Sequence, residues 1–129
     1  MTARRPRVLL VDDEPRILSA LRRALRREGY EIRMAETPLE ALRMLEAEPV
    51  DCVLSDHKMP GLTGLELLER VAAQSPGTAR LLITGWNEEL SSAELERIGV
   101  RAVLTKPWDD ERLKRTLREA LTPGAVGRD

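Results

Sequence analysis

Hydrophobic residues recur in five short runs along the chain, and a longer stretch with a helical repeat follows each run. Residues 7–11 form an apolar run, and a second strand-like apolar run from Val50 reaches Ser55 and stops at Asp56. Such runs are typical of strands buried on both faces of a sheet. Residues 79–84 and 102–104 follow the same pattern in shorter or less regular form. Residues 30–34 instead alternate between apolar and charged side chains, which predicts a half-exposed strand at a sheet edge.

The intervening segments have apolar residues three or four positions apart, the repeat of a helix with one buried face. Thr37 and Thr63 each precede a glutamate by three positions, so both are expected to open a capping box. We predict the fourth helix over residues 88–98 and a last helix opened by residues 109–111. The residues expected to face inward are Ile17, Leu21, Ala24, Leu25, Ala41, Leu42, Leu45, Leu65, Leu68, Ala72, Leu90, Ala93, Ile98, Leu113, Leu117, Ala120 and Leu121.

Five strands that alternate with five helices predict an α/β fold in which a parallel sheet is covered on both faces. The continuous runs belong inside the sheet and the alternating strand belongs at its edge. A flavodoxin-like, doubly wound (βα)5 sandwich with strand order 2-1-3-4-5 satisfies both conditions. We expect residues 1–6 to be an N-terminal tail, 7–121 the domain, and 122–129 a C-terminal tail or the start of a linker.

Composition and charge exclude several classes of function. The chain has 129 residues and a formal net charge of −1, which argues against general polyanion binding. Direct nucleic-acid binding is not expected either, because two tryptophans, one tyrosine and no phenylalanine provide few platforms for base stacking. No apolar run approaches the roughly 20 residues that span a bilayer, so no membrane association is expected. Cys52, the single cysteine, suits a reducing compartment and a place in the core. These features favour a cytoplasmic domain.

Polar side chains stand where four of the predicted strands end. They are Asp12 and Asp13 after the first strand, Asp56 after the third, Thr84 after the fourth and Lys106 after the fifth. In an open parallel sheet these ends share one rim, where ligands bind. Three carboxylates against one ammonium leave the rim negative, and a divalent cation would neutralise it. Oxygen ligands alone favour Mg²⁺.

A carboxylate beside Mg²⁺ can accept a phosphoryl group, and positioning and electrostatics then supply most of the catalysis. Asp56 is the predicted nucleophile. Lys106 can pair with one phosphoryl oxygen, the Thr84 hydroxyl can donate to another, and turn N–H groups after Asp56 can hold a third.

Four motifs resemble the receiver domain of bacterial two-component response regulators. They are V-D-D-E at 11–14, L-S-D-H-K-M-P-G-L-T-G at 54–64, I-T-G at 83–85 and L-T-K-P-W at 104–108. The resemblance implies that Asp56 takes phosphate from the phosphohistidine of a sensor histidine kinase or phosphotransfer protein. It also implies that Asp13, Asp56 and the backbone carbonyl of Lys58 bind Mg²⁺ directly, with Asp12 acting mainly through water.

The same resemblance implies that Thr84 moves toward the phosphoryl group and that Lys106 reaches it through a cis peptide bond before Pro107. Such a domain phosphorylates and dephosphorylates itself rather than turning over a free substrate, and it switches a partner or an output domain C-terminal to residue 121. The sequence departs from the family at Val103, where an aromatic side chain is common. Because a β-branched side chain has little rotational freedom, that part of the family switch is not expected here.

Other interpretations compete with this one. Alone, each aspartate is more typical of a cap or turn, and Lys106 of a solvated charge. A phosphorylation-independent interaction module of the same fold would be indicated by loss of Asp13, Asp56, Thr84 or Lys106, and all four are present. A flavin or dinucleotide protein of this topology would require a G-x-G-x-x-G fingerprint, which the sequence lacks.

Three further features are expected to be peripheral. His57, without partner ligands in the sequence, is predicted to be exposed or hydrogen-bonded rather than a metal ligand. The basic flank, defined as Arg22, Arg23, Arg26 and Arg27, is predicted to be a solvated helix face, with kinase docking as the alternative. A homodimer could pair the acidic helix over 88–98 with the cationic helix over 109–121.

Trp86 lies two residues beyond Thr84 and is expected to shield an acyl phosphate on Asp56 from water. A Trp86→Ala variant should therefore lose its phosphate faster than the wild type when the adduct is followed by mass spectrometry. Equal rates of loss would remove this role.

Overall fold

The computed structural model describes residues 4–85 and 88–122, and it contains five strands that alternate with five α-helices. A short 3-10 turn over Arg26–Glu28 follows the first helix. Within the described residues, none of the helices has the length and apolar content needed to cross a membrane. The elements in chain order are β1 Arg7–Val11, α1 Pro15–Ala24, β2 Glu31–Ala35, α2 Pro38–Ala47, β3 Cys52–Asp56, α3 Gly64–Gln74, β4 Ala79–Gly85, α4 Ser92–Ile98, β5 Val100–Lys106 and α5 Asp110–Leu121.

The strands form one parallel sheet in the order β2-β1-β3-β4-β5, which confirms the predicted topology and places β2 at an edge. Every residue of the central strand β3 is buried. The register sets Asp56 opposite Ile83, and Gly85 opposite Lys106. The carboxyl ends of β3, β4 and β5 therefore lie side by side.

Two aliphatic clusters cover the two faces of the sheet. One contains residues from α1 and α5, including Leu21 and Leu113, and the other contains residues from α2, α3 and α4, including Leu45 and Leu67. Cys52 is fully buried in the first cluster, as predicted, and burial raises the pKa of its thiol to about 12. The thiol is therefore a packing group.

Side-chain caps fix the start of α2 and α3. Thr63 accepts a hydrogen bond from Glu66 N at 3.1 Å, and the Glu66 carboxylate accepts one from Thr63 N at 2.9 Å, which confirms that capping box. At α2 the Thr37 hydroxyl accepts from Glu40 N, but the Glu40 carboxylate accepts from Glu36 N instead of Thr37 N. The capping box predicted at Thr37 is therefore incomplete, because the Glu40 carboxylate binds the backbone one residue before the N-cap.

The predicted fourth helix was too long at its start. Helix α4 begins at Ser92, because the Ser91 hydroxyl accepts from Glu94 N and caps it there. Ala93 was predicted to face inward and is exposed, whereas Leu95 packs against the second cluster with Leu90 and Ile98.

The buried face of α3 also differs from the prediction. Leu65 and Ala72 are only half-buried, and the helix buries Gly64, Leu67, Leu68 and Val71. These positions follow the i, i+3, i+4, i+7 repeat of a helix with one buried face. The buried face of α3 is therefore rotated about the helix axis relative to the predicted face. Strand β5 is longer than the predicted residues 102–104. The exposed polar residues Arg101 and Thr105 interrupt its apolar run, so the apolar pattern marks only the middle of this edge strand.

Gly64, the first residue of α3, packs against the end of β3. A Cβ at this position would overlap the backbone oxygen of Asp56 and would lie 2.8 Å from His57 Cα and 2.8 Å from Leu82 Cδ1. Two of these three neighbours are backbone atoms, which cannot be moved by a change of side-chain rotamer. Only glycine lets α3 start this close to Asp56.

We therefore expect Gly64→Ala to lower the free energy of unfolding by about 1–3 kcal/mol, the usual cost of overpacking a core. Urea denaturation measures this change. Gly77→Ala is the matched control, because a Cβ at Gly77 meets no atom within 4 Å. Equal stability of the two variants would show that the contact at Gly64 is easily relieved.

Candidate functional site

The structure brings the five predicted side chains together at one end of the sheet. Asp12 and Asp13 follow β1, Asp56 ends β3, Thr84 lies in β4 and Lys106 ends β5. Oxygen atoms of the three carboxylates lie within 4.8 Å of one another. Asp12, Asp56 and Thr84 are buried, whereas Asp13 is exposed. The rim is therefore a partly enclosed acidic site that opens to solvent on the Asp13 side.

Lys106 is the cation at the centre of this site. Its Nζ lies 3.0 Å from Asp56 Oδ1 and 3.1 Å from Asp12 Oδ2, so one ammonium bridges the two buried carboxylates. Asp12 Oδ1 accepts a hydrogen bond from Glu14 N at 2.9 Å. The contact of Asp12 Oδ2 with Lys106 lacks hydrogen-bond geometry, so within the described residues this buried oxygen has no hydrogen-bond donor. An acceptor of this kind can still bind a cation.

Burial dominates the acid–base properties of the two carboxylates. It raises the pKa of Asp12 although Glu14 N–H and Lys106 favour the ionised form. Burial likewise raises the pKa of Asp56, the nearby Asp12 charge adds to the effect, and Lys106 opposes it. Burial alone would lower the pKa of Lys106, but the two carboxylates outweigh it and leave that pKa raised. Lys106 is therefore charged at neutral pH.

The donor set fits a hard divalent cation. Among the residues that the structure describes, three carboxylates converge beside one ammonium, and one buried carboxylate oxygen has no hydrogen bond. Mg²⁺ prefers such oxygen ligands and binds through one or two carboxylates while it keeps several waters. Lys58 lies in the loop after β3 with an exposed side chain, and its carbonyl as a ligand stays a prediction.

Several residues around the site match their predicted places. The Lys106–Pro107 peptide bond is cis. His57 is half-buried, and its Nδ1 accepts from Leu65 N at 3.4 Å, which fits a hydrogen-bonded side chain. Trp86 and residues 123–129, the predicted phosphate shield and linker start, lie outside the described residues.

The structure also reveals contacts that sequence analysis missed. Gly64 packs directly against the backbone of Asp56, and Trp108 donates its indole N–H to Asp110 at 3.0 Å. The glycine immediately after the Thr63 cap was the available signal for a close approach, because glycine is a poor residue inside a helix. The start of α3 is thus part of the support of Asp56.

The basic flank is exposed, as predicted for a solvated helix face. Other arginines, such as Arg7, Arg97 and Arg118, do form ion pairs. Arg118 binds Glu28 through two nitrogen–oxygen contacts of 2.7 and 2.9 Å. These contacts tie α5 to the turn after α1.

Comparison with known families identifies one matching model, described as the response regulator receiver domain, over residues 8–118. The hydrogenase transcriptional regulatory protein HoxA of Bradyrhizobium diazoefficiens is 38% identical over 115 residues, which cover 88% of this chain and 24% of that protein. The transcriptional regulatory protein GlrR of Escherichia coli is 34% identical over 122 residues, which cover 95% of this chain and 28% of GlrR. The chain thus spans about a quarter of the length of these curated relatives.

Solved structures show the same fold. The signal receiver domain of an HD domain-containing protein from Pseudomonas fluorescens superposes with a TM-score of 0.87 at 37% identity, over 94% of this chain and 90% of that chain. The chemotaxis response regulator CheY4 of Vibrio cholerae superposes with a TM-score of 0.81 at 31% identity, over 91% of this chain and 99% of that chain.

The raised pKa of Asp56 predicts that its charge destabilises the fold when no divalent ion is present. Asp56→Asn should then raise the free energy of unfolding by about 1–2 kcal/mol at neutral pH in EDTA. A raised folded pKa means that the group favours folding at low pH and loses this contribution as pH rises through the folded value. The advantage of the variant should therefore shrink as pH falls toward about 4.

Asp51→Asn is the matched control, because it removes one carboxylate from a different environment. Burial would raise the pKa of Asp51, but hydrogen bonds from Arg4 and from Arg7 N outweigh it and lower that pKa. This half-exposed carboxylate stabilises the fold above its ordinary pKa, so its loss should cost about 0.5–1 kcal/mol at neutral pH. Urea denaturation measures both variants, and a shift of the same sign in both would contradict the assignment.

Proposed function

Because this chain belongs to the response regulator receiver domain family, we propose that it is a phosphoryl-acceptor switch in which Asp56 takes the phosphoryl group. Receiver domains are signalling switches rather than turnover enzymes. The observation that carries the proposal is the meeting of Asp56 with Lys106 and Asp12 at one sheet edge, at contacts of 3.0 and 3.1 Å. These three groups come from three separate strands, since Asp12 follows β1, Asp56 ends β3 and Lys106 ends β5.

In the proposed reaction an ionised Asp56 oxygen attacks the phosphorus of a phosphohistidine on a kinase or phosphotransfer protein. The P–N bond breaks, its electron pair stays on the imidazole nitrogen, and that nitrogen takes up a proton. The product is an acyl phosphate on Asp56. Attack of water on phosphorus later releases inorganic phosphate and restores the carboxylate, so the domain resets itself.

Asp13, Asp56 and the Lys58 carbonyl would hold Mg²⁺ directly, and Asp12 would hold it through water. When bound, the ion neutralises part of the charge that spreads over the transferring phosphoryl oxygens. Two observations support this assignment: the three-carboxylate cluster, and the buried Asp12 oxygen that has no hydrogen-bond donor among the described residues.

The remaining groups would orient the phosphoryl group. Lys106 is charged and already adjacent to Asp56, so its ammonium could follow the charge from the carboxylate to a phosphoryl oxygen. Thr84 directly follows Ile83, the residue opposite Asp56 in the sheet, and its hydroxyl could donate to a second oxygen. Burial of Asp56 limits the access of water to the acyl phosphate.

A kinase partner and an output domain follow from the family. HoxA and GlrR are named as transcriptional regulatory proteins, and we propose that this receiver likewise controls a partner or an output domain C-terminal to residue 121. A homodimer through the 88–98 and 109–121 helices stays a prediction. Lys114 and Arg118 already pair with Glu111 and Glu28, so Arg112 and Arg115 would have to supply the contacts from α5.

Incubation with phosphoramidate, a small-molecule phosphodonor, should add the mass of one phosphoryl group to the wild-type chain, and only when Mg²⁺ is present. Asp56→Asn should show no adduct, because an amide oxygen cannot form the acyl phosphate. Asp51→Asn should be modified like the wild type, since Asp51 lies just before the first residue of β3, at the opposite end of the strand from Asp56. Intact mass spectrometry reads all three.

An adduct that survives Asp56→Asn at full yield would place the acceptor elsewhere. A wild-type chain that stays unmodified with Mg²⁺ would favour the phosphorylation-independent interaction module instead.

A further inference from the structure

The amide of Gly85 lies at the rim of the acceptor site. His57 N donates to Ile83 O at 3.0 Å, so the backbone groups of Ile83 face β3. Backbone direction repeats every second residue along a strand, and the groups of Gly85 therefore face the same side. Because β3 ends at Asp56, opposite Ile83, no strand residue meets the Gly85 N–H. This donor emerges one residue beyond Thr84, on the side of the sheet that carries Asp56.

A carboxylate occupies this donor. Gly85 N donates to Glu88 Oε1 at 3.1 Å, and Glu88 N donates back to Gly85 O at 3.2 Å. Glu88 is half-buried, whereas the next residue, Glu89, is exposed. An N–H group at the end of a strand beside an acidic, phosphoryl-accepting rim is a place for an anionic oxygen, and Glu88 supplies that oxygen from the chain itself.

We propose that Glu88 is a positioning residue that holds the Gly85 N–H while Asp56 is unphosphorylated and must release it when a phosphoryl oxygen arrives. The inference rests on the proposed function of Asp56. A single N–H does not serve two anionic oxygens well, and a phosphoryl group brings a charge of about −1.5 to −2 to the rim. Glu88 therefore lowers the affinity of the site for a phosphoryl group and makes the release of this contact part of the switch.

The charge of Glu88 can be separated from its part in the local turn. The turn is already closed by the backbone hydrogen bond from Glu88 N to Gly85 O. A glutamine at this position keeps an acceptor oxygen of the same reach but removes the negative charge. Glu88→Gln thus weakens the competition while it preserves the turn, and Glu89→Gln makes the same change of charge one residue away.

The test is a titration of the Mg²⁺-loaded chain with beryllofluoride, which forms a phosphoryl-shaped anion on an acceptor carboxylate. Bound and free species are resolved by ¹⁹F NMR. Glu88→Gln should bind about three- to tenfold tighter than the wild type, the effect of removing one nearby like charge. Glu89→Gln should stay within about twofold. Urea denaturation of both variants checks the fold.

Equal affinities of Glu88→Gln and Glu89→Gln would overturn the inference and leave the proposed function of Asp56 intact. Weaker binding by Glu88→Gln together with lower stability would also overturn it, because Glu88 would then only cap the turn. No binding by the wild type, or binding that persists in Asp56→Asn, would overturn the proposed function and the inference with it.

Discussion

One ammonium group between two buried carboxylates is the interaction on which this site depends. Lys106 contacts Asp12 and Asp56 at once, and Asp12 is completely removed from solvent. Desolvation disfavours each ionised carboxylate, and the single ammonium of Lys106 offsets only part of that cost. The site is therefore left with more negative charge than its own cation can balance. Such a rim favours the binding of an added cation.

Hydrophobic packing elsewhere in the domain offsets the unfavourable free energy of this cluster. The sheet is packed between two aliphatic clusters whose largest fully buried side chains are leucine and isoleucine. The chain contains no phenylalanine, so dense packing rests on aliphatic side chains. Gly64 lets α3 approach the backbone of Asp56, and the Thr63–Glu66 capping box fixes where that helix begins. Asp56 is thus held at the end of β3 by the packing of the sheet and by the start of α3.

The segment between β4 and α4 joins the rim to the next helix. It starts from Thr84 and Gly85 at the rim and leads to α4, a helix of 7 residues capped by Ser91. At its other end α4 is tied to the sheet by Arg80, whose Nε donates to Ile98 O at 2.9 Å.

The strand order and the rim could be predicted from the sequence, because apolar periodicity identifies strands and parallel strands must end at a common edge. The five rim residues could therefore be placed together before the structure was known. They are Asp12, Asp13, Asp56, Thr84 and Lys106. Packing of the folded chain places Lys106 between Asp12 and Asp56 and brings Glu88 to Gly85. It also sets the rotation of α3, which buries Leu67 and Val71 instead of Leu65 and Ala72. The start of α4 at Ser92 was missed for a similar reason, since a serine cap outweighed the weak helical repeat before it. Periodicity assigns a residue to a face, but contact distances and burial depend on how neighbouring elements pack and on how the connecting turns close.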